Sequence, residues 1–468
     1  MTRVVIIGGG PGGYEAALVG SQLGGEVTLI DSDGLGGSAV LTDCVPSKTL
    51  VATAEVMTEV HGSAELGLRF GPDDESGPGA AGVHVDLGAV NRRVLDLAGQ
   101  QSADIVERVR RENVDVVIGR GRLGGTDRVV AETADGERTF AAEMILVATG
   151  ARPRELPEAK PDGDRILTWT QVYGMSELPE KLIVVGSGVT GAEFASAYHA
   201  LGAEVVLVSS RDRVLPGEDA DAAQVLEDVF ARRGLTVLGR SRAQAVTRDG
   251  NGVTVALTDG RAVSGSHCLL AVGSVPNTAD MGLQEAGVTL DRGGFIEVDR
   301  VSRTSARGVY AAGDCTGVLM LASVAAMQGR IAMWHTLGEA VAPLDLKTVS
   351  SNVFTAPEIA TVGVTQAQVD SDEVKARALT LPLKGNARAK MQGLTDGFVK
   401  VFCRPVTGIV IGGVVVAPRA SELIYPLAVA VAQRLTVDQV SGSFTVYPSL
   451  TGSLAEAARR LHGSGSIS

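Results

Sequence analysis

The chain is poor in cysteine. Four occur in 468 residues, at positions 44, 268, 315 and 403. Their scatter fits neither a metal site nor a disulfide scaffold, and a reducing, cytoplasmic setting is the expectation. Positive charge is also short: the formal net charge is −12, which argues against partners that need concentrated cationic surface, nucleic acid first among them. Long apolar runs are missing. The best membrane candidate, Gly408–Ala417, falls far below the ~20 residues of a spanning helix. Met1-Thr2-Arg3 leads straight into the apolar Val4–Ile7, so no secretory leader is expected either. What the chain has in quantity is glycine, 59 residues of it, which suggests many close backbone approaches and tight strand-to-helix turns. The length suffices for about two to four domains.

Two glycine motifs carry chemistry. In the first, the apolar run Val4–Ile7 enters Gly8-Gly9-Gly10-Pro11-Gly12-Gly13. Gly8 permits the tight turn, Gly10 lets a pyrophosphate approach the backbone, and Gly13 lets the following helix pack on the strand. The N-terminus of that helix aims free N–H groups and a positive dipole end at phosphate. Eighteen residues beyond Gly13, the strand Val27–Ile30 ends in Asp31, where a carboxylate accepts hydrogen bonds from ribose hydroxyls.

The second motif repeats the first. Leu182–Val185 runs into Gly186-Ser187-Gly188-Val189-Thr190-Gly191, with Glu193 close behind, and the strand Glu204–Val208 follows. This strand ends in Ser209-Ser210-Arg211 rather than in an acid. An acid there holds the 2′-hydroxyl of NADH and repels the extra phosphate of NADPH; hydroxyls and an arginine accept that phosphate instead. Tolerance of NADPH, and preference for it, is the expectation. Two such units in one chain predict two dinucleotides, a flavin and a nicotinamide.

Between the motifs, Gly36-Gly37-Ser38-Ala39-Val40-Leu41-Thr42-Asp43-Cys44-Val45-Pro46-Ser47-Lys48 resembles the redox helix of the flavoprotein disulfide reductases, whose pattern is G-G-T-C-x-x-x-x-C-x-P-S-K. Ala148-Thr149-Gly150 and Gly308-Val309-Tyr310-Ala311-Ala312-Gly313-Asp314 resemble the family segments that return to the flavin, and Phe354–Ala360 resembles the opening of its dimerisation domain. The resemblance spans nearly the whole chain. It implies an α/β fold with two Rossmann-like dinucleotide-binding domains plus a C-terminal α+β dimerisation domain, FAD as cofactor, and NADPH or NADH as substrate. The implied domains are 1–150 (FAD-binding, first part), 151–275 (NAD(P)-binding), 276–345 (FAD-binding, second part) and 346–468 (interface). The acidic, turn-rich Gly71–Gly79 reads as a mobile surface loop and His462–Ser468 as a disordered tail.

The same resemblance assigns roles. Lys48 and Glu193 are the pair expected to tune the hydride-accepting ring. Asp314 is expected to reach the ribityl chain. Ser32, Gly37, Gly121, Ala322 and Gly273 join the cofactor-binding candidates. Three family features are missing together. Ala39 stands where the first cysteine belongs, so Cys44 has no intrachain partner. In the C-terminal run, where the family has H-P-T-x-S-E, this chain reads Tyr447-Pro448-Ser449-Leu450-Thr451-Gly452. Tyr447 replaces the base and Gly452 its orienting glutamate, and a phenol of pKa near ~10 is a poor base at neutral pH. Cys44 is then either a remnant packed near the flavin or a thiolate that donates charge to the flavin or is oxidised to a sulfenic acid.

The losses sit on the acceptor side, and the nucleotide sites are spared. The expectation is a homodimeric NAD(P)H dehydrogenase passing electrons to a quinone, similar to the actinobacterial lipoamide-dehydrogenase-like NAD(P)H quinone reductases; that similarity alone supplies the quinone. Alternatives at this point are a soluble pyridine-nucleotide transhydrogenase, a single-cysteine NAD(P)H oxidase or peroxidase, and a non-catalytic flavoprotein. No metal site is expected.

Overall fold

The computed structural model describes residues 1–68 and 83–463. The Gly71–Gly79 loop expectation falls outside the described residues, as do positions 464–468.

Two sheets are all-parallel. Such strands are covered on both faces and therefore read as unbroken Val/Ile/Leu runs. The first sheet has the order Val309–Ala311, Met144–Val147, Arg3–Ile7, Glu26–Asp31, Asp115–Ile118. Its central strand pairs Ile7 with Ile30 on one side and with Val147 on the other. The second sheet is built alike, in the order Thr236–Leu238, Glu204–Val208, Lys181–Val185, His267–Leu270, Ile166–Thr168. There Val185 pairs with Val208 and with Leu270. In both sheets the glycine turn leaves the central strand at its C-terminal end, where ligands of open α/β sheets bind.

The helix after the first motif, Pro11–Gln22, crosses the helix Ala322–Thr336 closely. A Cβ on Gly329 would stand 2.1 Å from the Gly12 carbonyl oxygen, so the crossing needs glycine. Buried Glu15 receives the Arg330 guanidinium there through two hydrogen bonds of 2.9 and 2.7 Å.

The C-terminal sheet is antiparallel, in the order Ser350–Val353, Glu358–Gly363, Val410–Ala417, Phe398–Cys403, Arg377–Pro382. The helix Gly452–Gly463 buries Leu454, Ala457, Ala458 and Leu461 in this region's core. That stripe at i, i+3, i+4 and i+7 corrects one expectation: His462 is not part of a disordered tail but lies in this helix, its Nδ1 2.5 Å from Asp438 Oδ1.

By compactness the chain forms two units. One comprises Met1–Thr49, Asn91–Arg154 and Gly273–Asp345; the other comprises Leu50–Val90, Glu155–Val272 and Leu346–Ser468. Among the described residues no helix is long and apolar enough to cross a membrane.

Candidate active site: two dinucleotide cradles and a lone thiol

The first cradle is shaped by what its glycines exclude. Gly8 has φ +103°, donates its N–H to the Ile30 carbonyl at 2.8 Å, and a Cβ on it would lie 2.3 Å from the Ala148 carbonyl oxygen. A Cβ on Gly13 would lie 1.8 Å from the Gly8 carbonyl oxygen. Gly10 differs: its Cβ would meet only the Gly37 Cα, at 3.9 Å. The backbone is thus open at Gly10, beside a helix start with no side-chain cap, which leaves an anion site.

Asp31 closes the rim. Its Oδ2 accepts the Gly9 N–H at 2.7 Å, and its Oδ1 accepts those of Asp33 and Gly34 at 2.8 and 2.7 Å. A carboxylate has about four lone-pair positions, so it holds the loop and still accepts from a ribose. Ser32 lies exposed beside it. The Gly36 N–H donates to the Gly9 carbonyl at 2.8 Å, and a Cβ on Gly37 would stand 2.7 Å from the Gly10 Cα. Gly121 packs its backbone on the sheet: a Cβ there would meet Ile7 Cγ2 at 2.9 Å.

The segments that return to this cradle are held by residues the sequence did not point out. The Thr149 hydroxyl donates to the Asn277 carbonyl at 2.8 Å, the Asn277 side-chain amide donates to the Thr149 carbonyl at 3.0 Å, and the Asn277 N–H donates to the Gly150 carbonyl at 3.0 Å. Arg152 adds a 3.1 Å hydrogen bond to the Asn277 side-chain oxygen. Gly273 lies on the same linker pair, where its carbonyl accepts the Arg154 N–H at 2.9 Å. Buried Gln328 accepts the Gly313 N–H at 2.8 Å and so fixes the turn that presents Asp314. Burial first, and the Asp43 charge second, push the Asp314 carboxyl up to about 6. Ala322 opens a second helix without a side-chain cap.

Asp43 and Cys44 stand where the helix Cys44–Gly62 begins, and the Ser47 N–H donates to the Asp43 carbonyl at 2.7 Å. Cys44 is half-buried, while Cys268, Cys315 and Cys403 are buried. Lys48 lies on the first turns of the same helix. The open backbone at Gly10, the uncapped helix start, the acidic rim and buried Asp314 suit a flavin dinucleotide: Gly8–Gly13 for its pyrophosphate, Asp31 for a ribose, Asp314 for hydroxyls that donate.

The second cradle repeats the first. Gly186 has φ +113°, a Cβ on it would lie 2.1 Å from the Ala271 carbonyl oxygen, and one on Gly191 would lie 1.9 Å from the Gly186 carbonyl oxygen. A Cβ on Gly188 would meet nothing within 4 Å, and the helix Val189–Ala200 has no side-chain cap. Glu193 is buried on that helix, and its Oε1 accepts the Phe354 N–H at 2.9 Å. Ser209 calls for a correction. Its hydroxyl, expected to meet a phosphate, is fully buried, lies 2.6 Å from the Ser187 hydroxyl and accepts the Arg211 N–H at 3.1 Å. The strand pleat turns it inward, and the exposed residues of this turn are Ser210, Arg211 and Asp212.

Tyr447 is 85% exposed, as are its neighbours Phe444 and Val446 to a similar degree. The segment is anchored by Asn386, whose side-chain amide donates to the Ser449 carbonyl at 3.0 Å and to the Ser453 hydroxyl at 2.8 Å. At Gly452 a Cβ would meet only the Ser449 and Thr445 hydroxyls, at 3.7 and 4.0 Å, so no crowding there demands glycine.

A family model described as pyridine nucleotide-disulphide oxidoreductase matches residues 2–329, and the dimerisation domain of the same family matches residues 349–458. The chain belongs to the pyridine nucleotide-disulphide oxidoreductases. It is therefore a flavin oxidoreductase that uses FAD and NAD(P)H. It is 55% identical over 471 residues to the NAD(P)H dehydrogenase (quinone) of Mycobacterium tuberculosis, covering 98% of this chain and 94% of that protein. The crystal structure of LpdA from Mycobacterium tuberculosis superposes with a TM-score of 0.93 at 55% identity, covering 98% of this chain and 100% of that one. The dihydrolipoyl dehydrogenase of Zymomonas mobilis is 34% identical over 467 residues, covering 98% of each. The HOCl-induced flavoprotein disulfide reductase RclA of Escherichia coli shares the fold, with a TM-score of 0.85, 24% identity and coverage of 98% of this chain and 99% of that one.

Proposed function

We propose that this chain is an NAD(P)H dehydrogenase that carries electrons from NADPH, and less readily from NADH, through FAD to a quinone-type acceptor without a redox-active disulfide, as a cytoplasmic homodimer. The observation that carries the reading is Ala39, which stands five positions before Cys44 where the family pattern has its first cysteine, while the glycine turns of both nucleotide motifs are formed. A disulfide relay needs two thiols; direct transfer from the flavin needs none. The 55% identity to a protein named NAD(P)H dehydrogenase (quinone) supports a quinone-type acceptor.

When bound, FAD accepts a hydride from the nicotinamide and gives up electrons to the second substrate. The chain's part is to bind and orient. Gly8, Gly10 and Gly13 cradle one pyrophosphate, Gly186, Gly188 and Gly191 the other, and Ala148–Gly150, Asp314 and Ala322 border the flavin. We assign Lys48 and Glu193 to the hydride-accepting step as electrostatic tuning residues. Tyr447, with its exposed apolar neighbours on the segment that the dimerisation-domain model covers, is presented to a second copy of the chain.

An acceptor panel tests the proposal. With NADPH as donor, simple benzoquinones and naphthoquinones should turn over far faster than lipoamide or glutathione disulfide. Disulfide reduction at comparable rates would sink the reading, and faster reduction of an NAD⁺ analogue than of any quinone would make the enzyme a transhydrogenase.

A further inference from the structure

We infer that Arg240, on the turn after the neighbouring strand, is a second residue that selects the nicotinamide nucleotide, closing with Arg211 on the 2′-phosphate of NADPH. This rests on the NADPH reading above and extends it to a part of the chain outside the glycine motif and its strand end.

The strands Glu204–Val208 and Thr236–Leu238 are parallel neighbours, with Val208 opposite Leu238, so both turns emerge at one edge of the sheet. Three backbone hydrogen bonds stitch these turns together. The Ser209 N–H donates to the Leu238 carbonyl at 2.9 Å, the Ser241 N–H to the Ser209 carbonyl at 2.7 Å, and the Arg240 N–H to the Arg211 carbonyl at 2.7 Å. The last of these makes Arg211 and Arg240 neighbours in space although they are far apart in sequence.

Charge is distributed unevenly here. Some arginines of this unit have carboxylate partners: Arg248 with Asp162 and Asp164, Arg261 with Asp259, Arg232 with Asp396. At the stitched turns, Arg211, Arg240 and Arg242 are exposed and Arg213 is half-buried, and among the described residues none of the four has an ion-pair partner. The carboxylates nearby are Asp212 on the turn itself, Glu227, which accepts the Val214 N–H at 2.6 Å, and Asp259, which is already paired with Arg261. In a chain of net charge −12, such a cationic patch suits an anionic group. The backbone adds a second observation. Arg240 holds φ +54°, a left-handed conformation that is strained for a non-glycine residue and is found often at binding sites. An arginine held there, directly bonded to Arg211, fits a two-sided grip on a phosphate dianion through planar guanidinium forks. Ser209, being buried, sets the turn and takes no part in that grip.

The test uses the FAD-loaded enzyme and two probes, 2′,5′-ADP and 5′-AMP, as competitive inhibitors of NADPH oxidation. The wild type should bind 2′,5′-ADP more tightly. Arg240→Gln should raise the KM for NADPH about tenfold, the worth of one charge-assisted contact, while the KM for NADH moves much less. Arg240→Lys should restore part of the difference. Arg240→Gly, which the left-handed backbone accepts without strain, should fold at least as well and show the same NADPH defect. Equal shifts for NADPH and NADH in the glutamine and glycine variants would reduce Arg240 to a structural residue and overturn the inference. If the wild type tells the two probes apart and only Arg211→Gln abolishes this, the NADPH reading stands and the Arg240 inference fails. If the wild type does not tell them apart, the NADPH preference itself is wrong.

Discussion

Replacing Lys400 by methionine tests how the C-terminal sheet is tied to the start of the helix Ala220–Arg233. Lys400 lies in the buried strand Phe398–Cys403, and its side chain is 1% exposed. Its Nζ donates to both Asp219 oxygens, at 3.0 and 2.8 Å, and to Asp221 at 2.7 Å. The two acids differ: the Asp219 side chain is 3% exposed and that of Asp221 is 65% exposed. Removing the cation strands Asp219 in the interior. Breaking a buried pair from one side typically costs ~3–5 kcal/mol. Asp219 keeps some compensation, because it caps the helix Ala220–Arg233 by accepting the Asp221 and Ala222 N–H groups at 3.1 and 3.2 Å. Retained hydrogen bonds and the helix dipole place the expected loss at the lower end, about 3 kcal/mol. Asp221→Asn should cost at most about 1 kcal/mol, as an exposed partner does. The double variant Lys400→Met with Asp219→Asn should recover most of the loss, because no buried charge is left alone. The assay is urea denaturation followed by Trp169 fluorescence in a Trp334→Phe background, since Trp169 belongs to the same unit as Lys400. A loss under about 1 kcal/mol for Lys400→Met, or a double variant worse than the single one, would refute the reasoning.

Gly188→Ala should leave the melting temperature unchanged, because its Cβ meets nothing within 4 Å, yet weaken nicotinamide nucleotide binding at least tenfold, about 1.4 kcal/mol; titration with NADP⁺ reads it. Gly13→Ala should instead lose FAD on gel filtration, because its Cβ would collide with the Gly8 carbonyl oxygen at 1.8 Å. In flavin-free protein the Asp314 carboxyl is raised to about 6 from 3.8, by burial and then by Asp43. The folded state therefore holds this proton more tightly than the unfolded one. The stability it contributes is present below pH 3.8 and is lost as the pH rises through about 6. Hydroxyls donating from FAD favour the ionised form, so flavin release measured by fluorescence should fall between roughly pH 5 and pH 7, and Asp314→Asn should flatten that slope. Lys48→Met and Glu193→Gln should each slow flavin reduction by NADPH in stopped flow. A double variant slower by the full product of the two effects would show that they act independently.

How far the sequence could be read depended on whether a role was local. The strands Met144–Val147 and Glu204–Val208 have the boundaries expected from their residues, because buried parallel strands are unbroken apolar runs between glycine turns. The glycine cradles were legible for the same local reason. Asn277, Gln328 and Arg240 were not, since each acts on backbone that lies far off in sequence or across a strand edge. Ser209 was read at the right place but with the wrong orientation, because strand-end residues alternate between facing in and facing out. Lys400 is the one charge in the apolar run Phe398–Cys403; its burial depends on Asp219 and Asp221, which are distant in the chain. His462 was assigned to the tail by composition, whereas the apolar stripe through Leu461 continues the helix beneath it.

The central claim is that electrons leave the flavin directly. An anaerobic titration of the FAD-loaded protein with NADPH, followed by flavin absorbance, tests it most directly. With Cys44 alone, full flavin bleaching should need one NADPH per flavin, and no further equivalent should be taken up. Uptake of a second equivalent before the flavin is fully bleached would reveal another redox centre and contradict the account.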